Sequence, residues 1–182
     1  MPDEIRTYYE TDWREADRIT SGLNEIELVR TQRIVRRHLP RRPLRILDVG
    51  GATGVHASWL AGDGHDVHLI DPVPGHVDAA AEIVTAEVGD ARDLPAADAT
   101  FDAVLLLGPL YHLTEVEDRL RALREARRVV RPGGLVFVAA ISRFASLFSG
   151  LQHEMLFAAE AVESEPTLAG LSAHLLLAAK RP

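Results

Sequence analysis

The chain has 182 residues, with 20 lysines and arginines against 27 acidic residues, and no cysteine. This length predicts one domain, or one domain with a short appendage, and the lack of cysteine excludes disulfides, thiolate metal sites and a cysteine nucleophile. The net charge of −7 argues against a general binder of nucleic acid or of anionic membranes. The start is charged and no apolar run approaches about 18 residues, so neither a signal peptide nor a membrane span is predicted, and a cytoplasmic protein is expected.

Residues 1–43 are predicted to form a helical segment ahead of the first strand, because apolar side chains recur at helix-like intervals and prolines follow. The apolar residues are Ile19, Leu23, Ile26, Ile34 and Leu39, and the prolines are Pro40 and Pro43. Seven arginines and no acidic residue lie between positions 30 and 45. A solvated helix face is the favoured interpretation of this basic stretch, and a surface for RNA or an anionic substrate is the alternative.

From residue 44 onward, short apolar runs alternate with longer amphipathic stretches. The runs predict strands at 45–49, 67–70, 87–88, 103–107 and 135–140, with helices between them. Because the runs are apolar throughout rather than alternating, both faces of each strand are expected to be covered, as in a parallel sheet. The predicted fold class is therefore α/β, a Rossmann-like doubly wound and mostly parallel sheet with helices on both faces.

One of the predicted helices has a start signal of its own. The stretch Thr-Glu-Val-Glu at 114–117 has the form of a capping box. The helix that follows is expected to bury Val116, Leu120, Leu123 and Val130, and to end at the Pro-Gly-Gly of 132–134.

The most informative stretch is Ile-Leu-Asp-Val-Gly-Gly-Ala-Thr-Gly at 46–54, where an acidic residue near the end of a strand leads into a glycine-rich turn. Glycine permits a positive φ and lets a ligand approach the backbone without a Cβ in the way. A dinucleotide fingerprint requires the spacing Gly-x-Gly-x-x-Gly, and neither Gly50 nor Gly51 begins such a pattern. The spacing acid-x-Gly-x-small-x-Gly fits instead, which disfavours a nicotinamide-dependent oxidoreductase.

Together with this loop, four further motifs in order resemble the class I S-adenosylmethionine-dependent methyltransferases over residues 44–142. They are Val-His-Leu-Ile-Asp-Pro at 67–72, Gly-Asp-Ala at 89–91, Phe-Asp-Ala-Val-Leu-Leu-Leu-Gly-Pro-Leu-Tyr-His at 101–112, and Arg-Glu-Ala-Arg-Arg-Val-Val-Arg-Pro-Gly-Gly-Leu at 124–135. Bacterial small-molecule methyltransferases of ubiquinone and menaquinone biosynthesis often read Gly-Pro-Leu-Tyr-His after the fourth strand. The resemblance implies S-adenosyl-L-methionine as the cofactor, in-line methyl transfer to an O, N or C nucleophile of a small-molecule acceptor, and a final antiparallel strand at 172–180.

The resemblance also implies which residues bind the cofactor. In this sequence they are Asp48, Gly50, Gly51, Ala52, Gly54, Asp71, Pro72, Asp90, Ala91, Leu107 and Gly108. Asp71 is expected to accept hydrogen bonds from the ribose hydroxyls, and Asp90 to face the adenine amino group. Alternatives stay open: Asp48 as a turn or helix cap, Asp71 as a residue that shapes a turn, and Asp90 as one of several loop acids.

His112 is the candidate general base, because it follows the fourth strand at the carboxyl end of the sheet and its ordinary pKa suits proton transfer near neutrality. The alternative is that His112 and Tyr111 only wall the methionine end of the cofactor. Tyr8, Tyr9 and Trp13 lie in the N-terminal segment, which in this family often folds over the site. They are expected either to form an aromatic lid or to pack as a helix face. No metal site is expected.

Residues 44–182 are predicted to form the methyltransferase domain, with a shortened C-terminal part. With a predicted helix at 154–163, no room remains for the further strand of the family pattern and the helix before it. Either the protein is a shortened variant, or a connecting segment is missing near 149–154. The second interpretation is favoured, because both flanks resemble the family and the junction does not. An exposed sheet edge would favour a homodimer if the chain is this short. Two other functions stay open: a non-catalytic S-adenosylmethionine- or S-adenosylhomocysteine-binding remnant, and an RNA methyltransferase that uses the arginines of 30–45.

Overall fold

A computed structural model describes residues 23–141 and 174–182 of the chain. In chain order they form helix α1 (Leu23–His38), strand β1 (Arg45–Val49), helix α2 (Val55–Gly62), strand β2 (Asp66–Asp71), helix α3 (Pro74–Ala81), strands β3 (Thr85–Val88) and β4 (Phe101–Leu106), a 3₁₀ turn (Pro109–Tyr111), helix α4 (Val116–Val129), and strands β5 (Val130–Ile141) and β6 (His174–Lys180). The predicted helix at 154–163 and the shortened connection lie outside the described residues. Within the described part of the chain, no helix is long and apolar enough to cross a membrane.

The strands form one six-stranded sheet in the order β3-β2-β1-β4-β5-β6. Strands β1 to β5 pair in parallel, and β6 runs antiparallel to β5. The two sheet neighbours of β1 therefore lie on opposite sides of it: β2 follows β1 directly in the chain, and β4 follows only after β3 has been added at the other edge. Between them the sheet has the topological switch point at which ligands bind in this class of fold. The predicted α/β class, with its antiparallel last strand, is confirmed.

Both faces of the sheet are covered, as the continuous apolar runs predicted. In β1, Ile46 packs with Val35 of α1 and Leu60 of α2 on one face, whereas the adjacent Leu47 packs with Ala126 of α4 on the other. Successive side chains of a strand point to opposite faces, so a strand buried on both sides needs an apolar residue at every position. Helices α1, α2 and α3 cover one face and α4 covers the other.

Helix α4 corrects three details of the prediction. Its N-cap is Glu115 with no side-chain capping hydrogen bond, so the capping box does not form. Its buried residues are Ala122, Ala126 and Val129, while Val116 and Leu120 are 62% and 40% exposed. The small alanine side chains let the helix approach the sheet closely along a stripe that a search for large apolar residues overlooks. The helix also ends before the Pro-Gly-Gly of 132–134, which belongs to β5.

Candidate functional site

A cavity of about 550 Å³ lies at the carboxyl ends of β1, β2, β3 and β4. The turn after β1, the start of α3, the loop after β3 and the 3₁₀ turn after β4 form its walls, and α1, β5 and β6 contribute to the far side. The predicted residues that line this cavity are Asp48, Gly50, Gly51, Ala52, Asp71, Pro72, Asp90, Ala91, Leu107, Gly108, Tyr111 and His112. Gly54 is not among the lining residues; it is the N-cap of α2, with φ of 89°.

The glycine loop is held in place by neighbours that leave no room for side chains. The Gly50 N–H donates to the Ile70 carbonyl at 2.7 Å. A Cβ on Gly50 would lie 2.6 Å from Cγ of Pro109, and φ is +67°, which favours glycine. A Cβ on Gly51 would lie 2.6 Å from Oδ2 of Asp48. The loop therefore needs glycine at both positions, and it presents bare backbone beside a carboxylate.

Asp48 is a buried acid that forms no ion pair with any basic side chain of residues 23–141 and 174–182. Its side chain is 1% exposed, and within the described residues its Oδ2 has no hydrogen-bond partner. Burial raises the pKa of the Asp48 carboxyl to about 7, the charge of Asp71 adds to this shift, and the backbone N–H of Ala57 partly offsets it. A ligand that brings positive charge or a donor to Oδ2 would relieve this cost of burial.

Asp71, at the end of β2, connects three elements of the cavity wall. Its Oδ2 accepts the Ala52 N–H at 2.9 Å, which ties it to the glycine loop. Its Oδ1 accepts the Val73 N–H at 3.0 Å and lies 3.2 Å from Nδ1 of His76 in α3. The carboxylate is only 4% exposed and borders the cavity. It is therefore held in one orientation before any ligand is present.

Asp90 lies in the loop after β3, where the prediction placed it, but it is paired. Nε and Nη2 of Arg92 donate to its two oxygens at 2.9 and 2.6 Å, and the Arg92 backbone N–H donates at 2.8 Å. These bonds hold the pKa of Asp90 at about 2. Arg92 also binds Asp118 of α4 at 2.7 Å. The carboxylate is thus built into a network that joins the loop to α4, while Gly89 and Ala91 beside it line the cavity too.

The far side of the cavity contains Tyr111 and His112, at the 3₁₀ turn after β4. Their rings stand edge to face with centroids 6.4 Å apart. Burial raises the pKa of the Tyr111 phenol, and the Glu27 carboxylate raises it further, so the phenol stays protonated at neutral pH. Glu27, Arg30 and Thr31 of α1 line the same side.

Several cavity residues were missed from the sequence. His76 and Val73 follow Asp71 in the first turn of α3, and His56 follows the glycine loop in α2. Burial lowers the pKa of His56 to about 4, and its Nδ1 accepts the Trp59 indole N–H at 3.2 Å. These residues follow the ends of β1 and β2, and that position could have identified them from the sequence as residues near the cavity. Tyr8, Tyr9 and Trp13, the predicted lid, lie outside the described residues.

A mostly parallel α/β sheet with a glycine-rich turn, two buried aspartates and a cavity at the switch point places the chain in the Rossmann-like fold class. The family model described as "Methyltransferase domain" matches residues 47–138, which is half of the chain. The chain belongs to this methyltransferase family, as its motifs predicted.

Relatives and solved structures agree with this assignment. The ubiquinone biosynthesis O-methyltransferase of Azorhizobium caulinodans is 34% identical over 117 residues, covering 60% of this chain and 45% of that protein. The demethylmenaquinone methyltransferase of Mycolicibacterium vanbaalenii is 37% identical over 129 residues, covering 67% and 55%. The chain thus spans about half the length of these relatives. The structure of a SAM-dependent methyltransferase from Methanosarcina mazei shares the fold, with 21% identity, a TM-score of 0.58 and coverage of 68% of this chain and 66% of that one.

Proposed function

We propose that this protein transfers a methyl group from S-adenosyl-L-methionine to a small-molecule acceptor. The observation that carries the proposal is the pair of buried aspartates, Asp48 and Asp71, on either side of a glycine loop in the cavity. The cofactor has a ribose diol and two cationic groups, an ammonium and a sulfonium. A held carboxylate suits the diol, and a buried carboxyl without a cation suits positive charge.

The residues present fit that cofactor. Asp48 Oδ2 lacks a hydrogen-bond partner among the described residues, and a Cβ on Gly51 would fill the space beside it. In the proposal, Asp48 faces the methionine end, Asp71 accepts from the ribose, and the backbone of Gly50 and Gly51 lies against the cofactor. When bound, S-adenosylmethionine supplies an activated methyl group, so the protein has to align two partners and exclude water.

Calorimetric titration with S-adenosylhomocysteine tests the cofactor class. We expect micromolar binding to the wild type, no binding of NADH, and a loss of about a hundredfold in affinity for Asp71→Ala, since hydrogen bonds to a charged acceptor are lost. Absence of S-adenosylhomocysteine binding to the folded wild type would overturn the proposal.

The acceptor we propose is an aromatic hydroxyl compound of the quinol type. Apolar side chains line the far side of the cavity, namely Leu28, Leu113, Ile141 and Leu176, beside the Tyr111 ring. Such a wall suits an aromatic ring, and the two relatives named above are a ubiquinone biosynthesis O-methyltransferase and a demethylmenaquinone methyltransferase. Formation of S-adenosylhomocysteine with a catechol-type acceptor, and not with an aliphatic amine, would support this class. Cofactor binding without turnover on any acceptor would favour the non-catalytic remnant.

His112 is the proposed general base for a hydroxyl acceptor. It lines the cavity beside Tyr111, whose phenol is held protonated and is therefore no base at neutral pH. We expect His112→Ala to lower kcat by about a hundredfold or more, with S-adenosylhomocysteine affinity within about threefold of the wild type. Unchanged kcat with a genuine acceptor would reduce His112 to a wall residue.

A further inference from the structure

His76 contacts the carboxylate that the proposed function assigns to the ribose. It lies in the first turn of α3, five positions after Asp71, and its side chain is 11% exposed. Its Nδ1 is 3.2 Å from Asp71 Oδ1, and both residues line the cavity. An ionised carboxylate only accepts hydrogen bonds, so the ring nitrogen of this pair is the donor.

The contact completes the set of bonds that orients Asp71. Oδ1 accepts from the Val73 N–H and from His76, while Oδ2 accepts from the Ala52 N–H. A carboxylate oxygen has two lone-pair positions, so these bonds fill Oδ1 and leave one position on Oδ2. Without the histidine, the single Val73 N–H would hold Oδ1, and the carboxylate would be freer to rotate away from the cavity.

We propose that His76 is a positioning residue that presents Asp71 to the cofactor ribose, so that preference for a ribose hydroxyl depends on this histidine. This inference rests on the proposed function. The ring acts through Asp71: its N–H fixes Oδ1 and thereby directs Oδ2 to the ligand. If His76 only filled space, its loss would lower the affinity for ligands of similar size equally. In the positioning role, its loss lowers the affinity only for ligands that carry the ribose hydroxyl.

The test compares S-adenosylhomocysteine with its 2′-deoxyribose analogue on wild type and His76→Leu. We expect the wild type to prefer the hydroxyl-bearing ligand by about tenfold or more. His76→Leu should bind S-adenosylhomocysteine about tenfold more weakly and the deoxy analogue less than threefold more weakly, so the preference collapses. Equal losses for both ligands, or no loss, would overturn the inference.

Two further variants separate positioning from packing. Asn places an amide N–H near the position of Nδ1, so His76→Asn should recover most of the preference, and His76→Gln, whose amide lies farther out, should not. The comparison of His76→Asn with His76→Gln also tests the inference if His76→Leu fails to fold. An equal preference for the hydroxyl-bearing ligand in both variants would overturn it.

The matched control is another histidine–carboxylate pair that, like Asp71 and His76, has one member on β2. His68 of β2 lies 2.7 Å from Glu87 of β3, and neither is among the described residues that line the cavity. His68→Leu should leave both affinities within about twofold. If the wild type binds neither ligand, and Asp71→Asn therefore shows no loss of binding, the proposed function fails together with the role of His76. If Asp71→Asn abolishes binding and His76→Leu does not alter it, only the role of His76 fails.

Discussion

The two ends of the sheet surround their acidic side chains in opposite ways. At the amino end of β4, Asp102 accepts the Arg45 backbone N–H at 2.8 Å and the Arg42 guanidinium at 3.1 Å, and it also pairs with Arg131. Burial alone would raise the pKa of Asp102, but the Arg45 N–H and the two guanidinium groups lower it overall. At the carboxyl end of the adjacent β1, burial raises the pKa of Asp48 to about 7.

The difference distinguishes an acid that holds the fold from one that is available to a ligand. A partly buried carboxylate such as that of Asp102 is stabilised by the cations and the N–H group that surround it. Asp48 lies beside a second acid, Asp71, and the backbone N–H of Ala57 offsets only part of its cost of burial. The arginines of the 30–45 stretch follow the same rule at the amino end, where Arg36 pairs with Asp63 at 2.6 Å and Arg42 with Asp102.

The largest expected effect comes from removing the charge of Asp48. Because its folded pKa of about 7 exceeds that of an unfolded aspartate, the folded protein holds an extra proton between about pH 4 and 7. The contribution of Asp48 to the free energy of unfolding is therefore fully present below about pH 4 and is lost as the pH rises through about 7. Between pH 4 and pH 8, Asp48→Asn should gain stability relative to wild type by at most about 4 kcal/mol.

Urea unfolding of both proteins across that range measures the effect. The difference between them is the quantity of interest, because His56 has the opposite sign: its pKa is lowered to about 4, so its contribution rises with pH in the same window. A difference that stays constant with pH would show that Asp48 is not an unpaired buried carboxyl.

A smaller effect is expected at the opposite end of the sheet. Asp102→Ala removes the acceptor for one backbone N–H and two arginines, so we expect the free energy of unfolding to fall by about 2 kcal/mol. Affinity for S-adenosylhomocysteine should stay within about twofold, because Asp102 is not among the described cavity residues. A large loss of affinity would break the division of the sheet into a binding end and a structural end.

The smallest effect concerns backbone strain in the glycine loop. Ala52 has a φ of +48°, in the left-handed region where a Cβ is unfavourable. Ala52→Gly removes that strain but adds freedom to the unfolded chain, so a net gain of about 0.5 kcal/mol in unfolding free energy is expected. Thermal unfolding with S-adenosylhomocysteine absent checks this value, and a clear loss would indicate that the alanine methyl packs favourably.

Much of the fold could be predicted from local sequence. Strands buried on both faces are continuous apolar runs, so β1 and β4 were found nearly at their true bounds. Helix α4 was found in the expected stretch of chain, but its start, its end and most of its buried face were not predicted. That face is set by how closely Ala122 and Ala126 can approach the sheet, which is a property of the packed pair and not of the helix alone.

Residues of the candidate site could be predicted where they lie at the carboxyl ends of the strands. Asp48, Asp71 and Asp90 were found because parallel strands bring their carboxyl ends together, yet the pairing of Asp90 with Arg92 was not foreseen. His76 was missed because its role depends on a side-chain contact across a turn. Glu27 and Thr31 were missed because sequence periodicity does not tell which turn of α1 meets the cavity.

The contact between His56 and Trp59 gives the protein an optical reporter of its own cavity. The indole N–H donates to His56, which lines the cavity, and the Arg36 guanidinium lies 4.7 Å from the centre of the ring. Indole emission responds to changes in its hydrogen bond and in nearby charge. Since the chain has two tryptophans, Trp13→Phe isolates the signal of Trp59. Ligand entry then becomes visible in real time, without a labelled probe and before any acceptor is known.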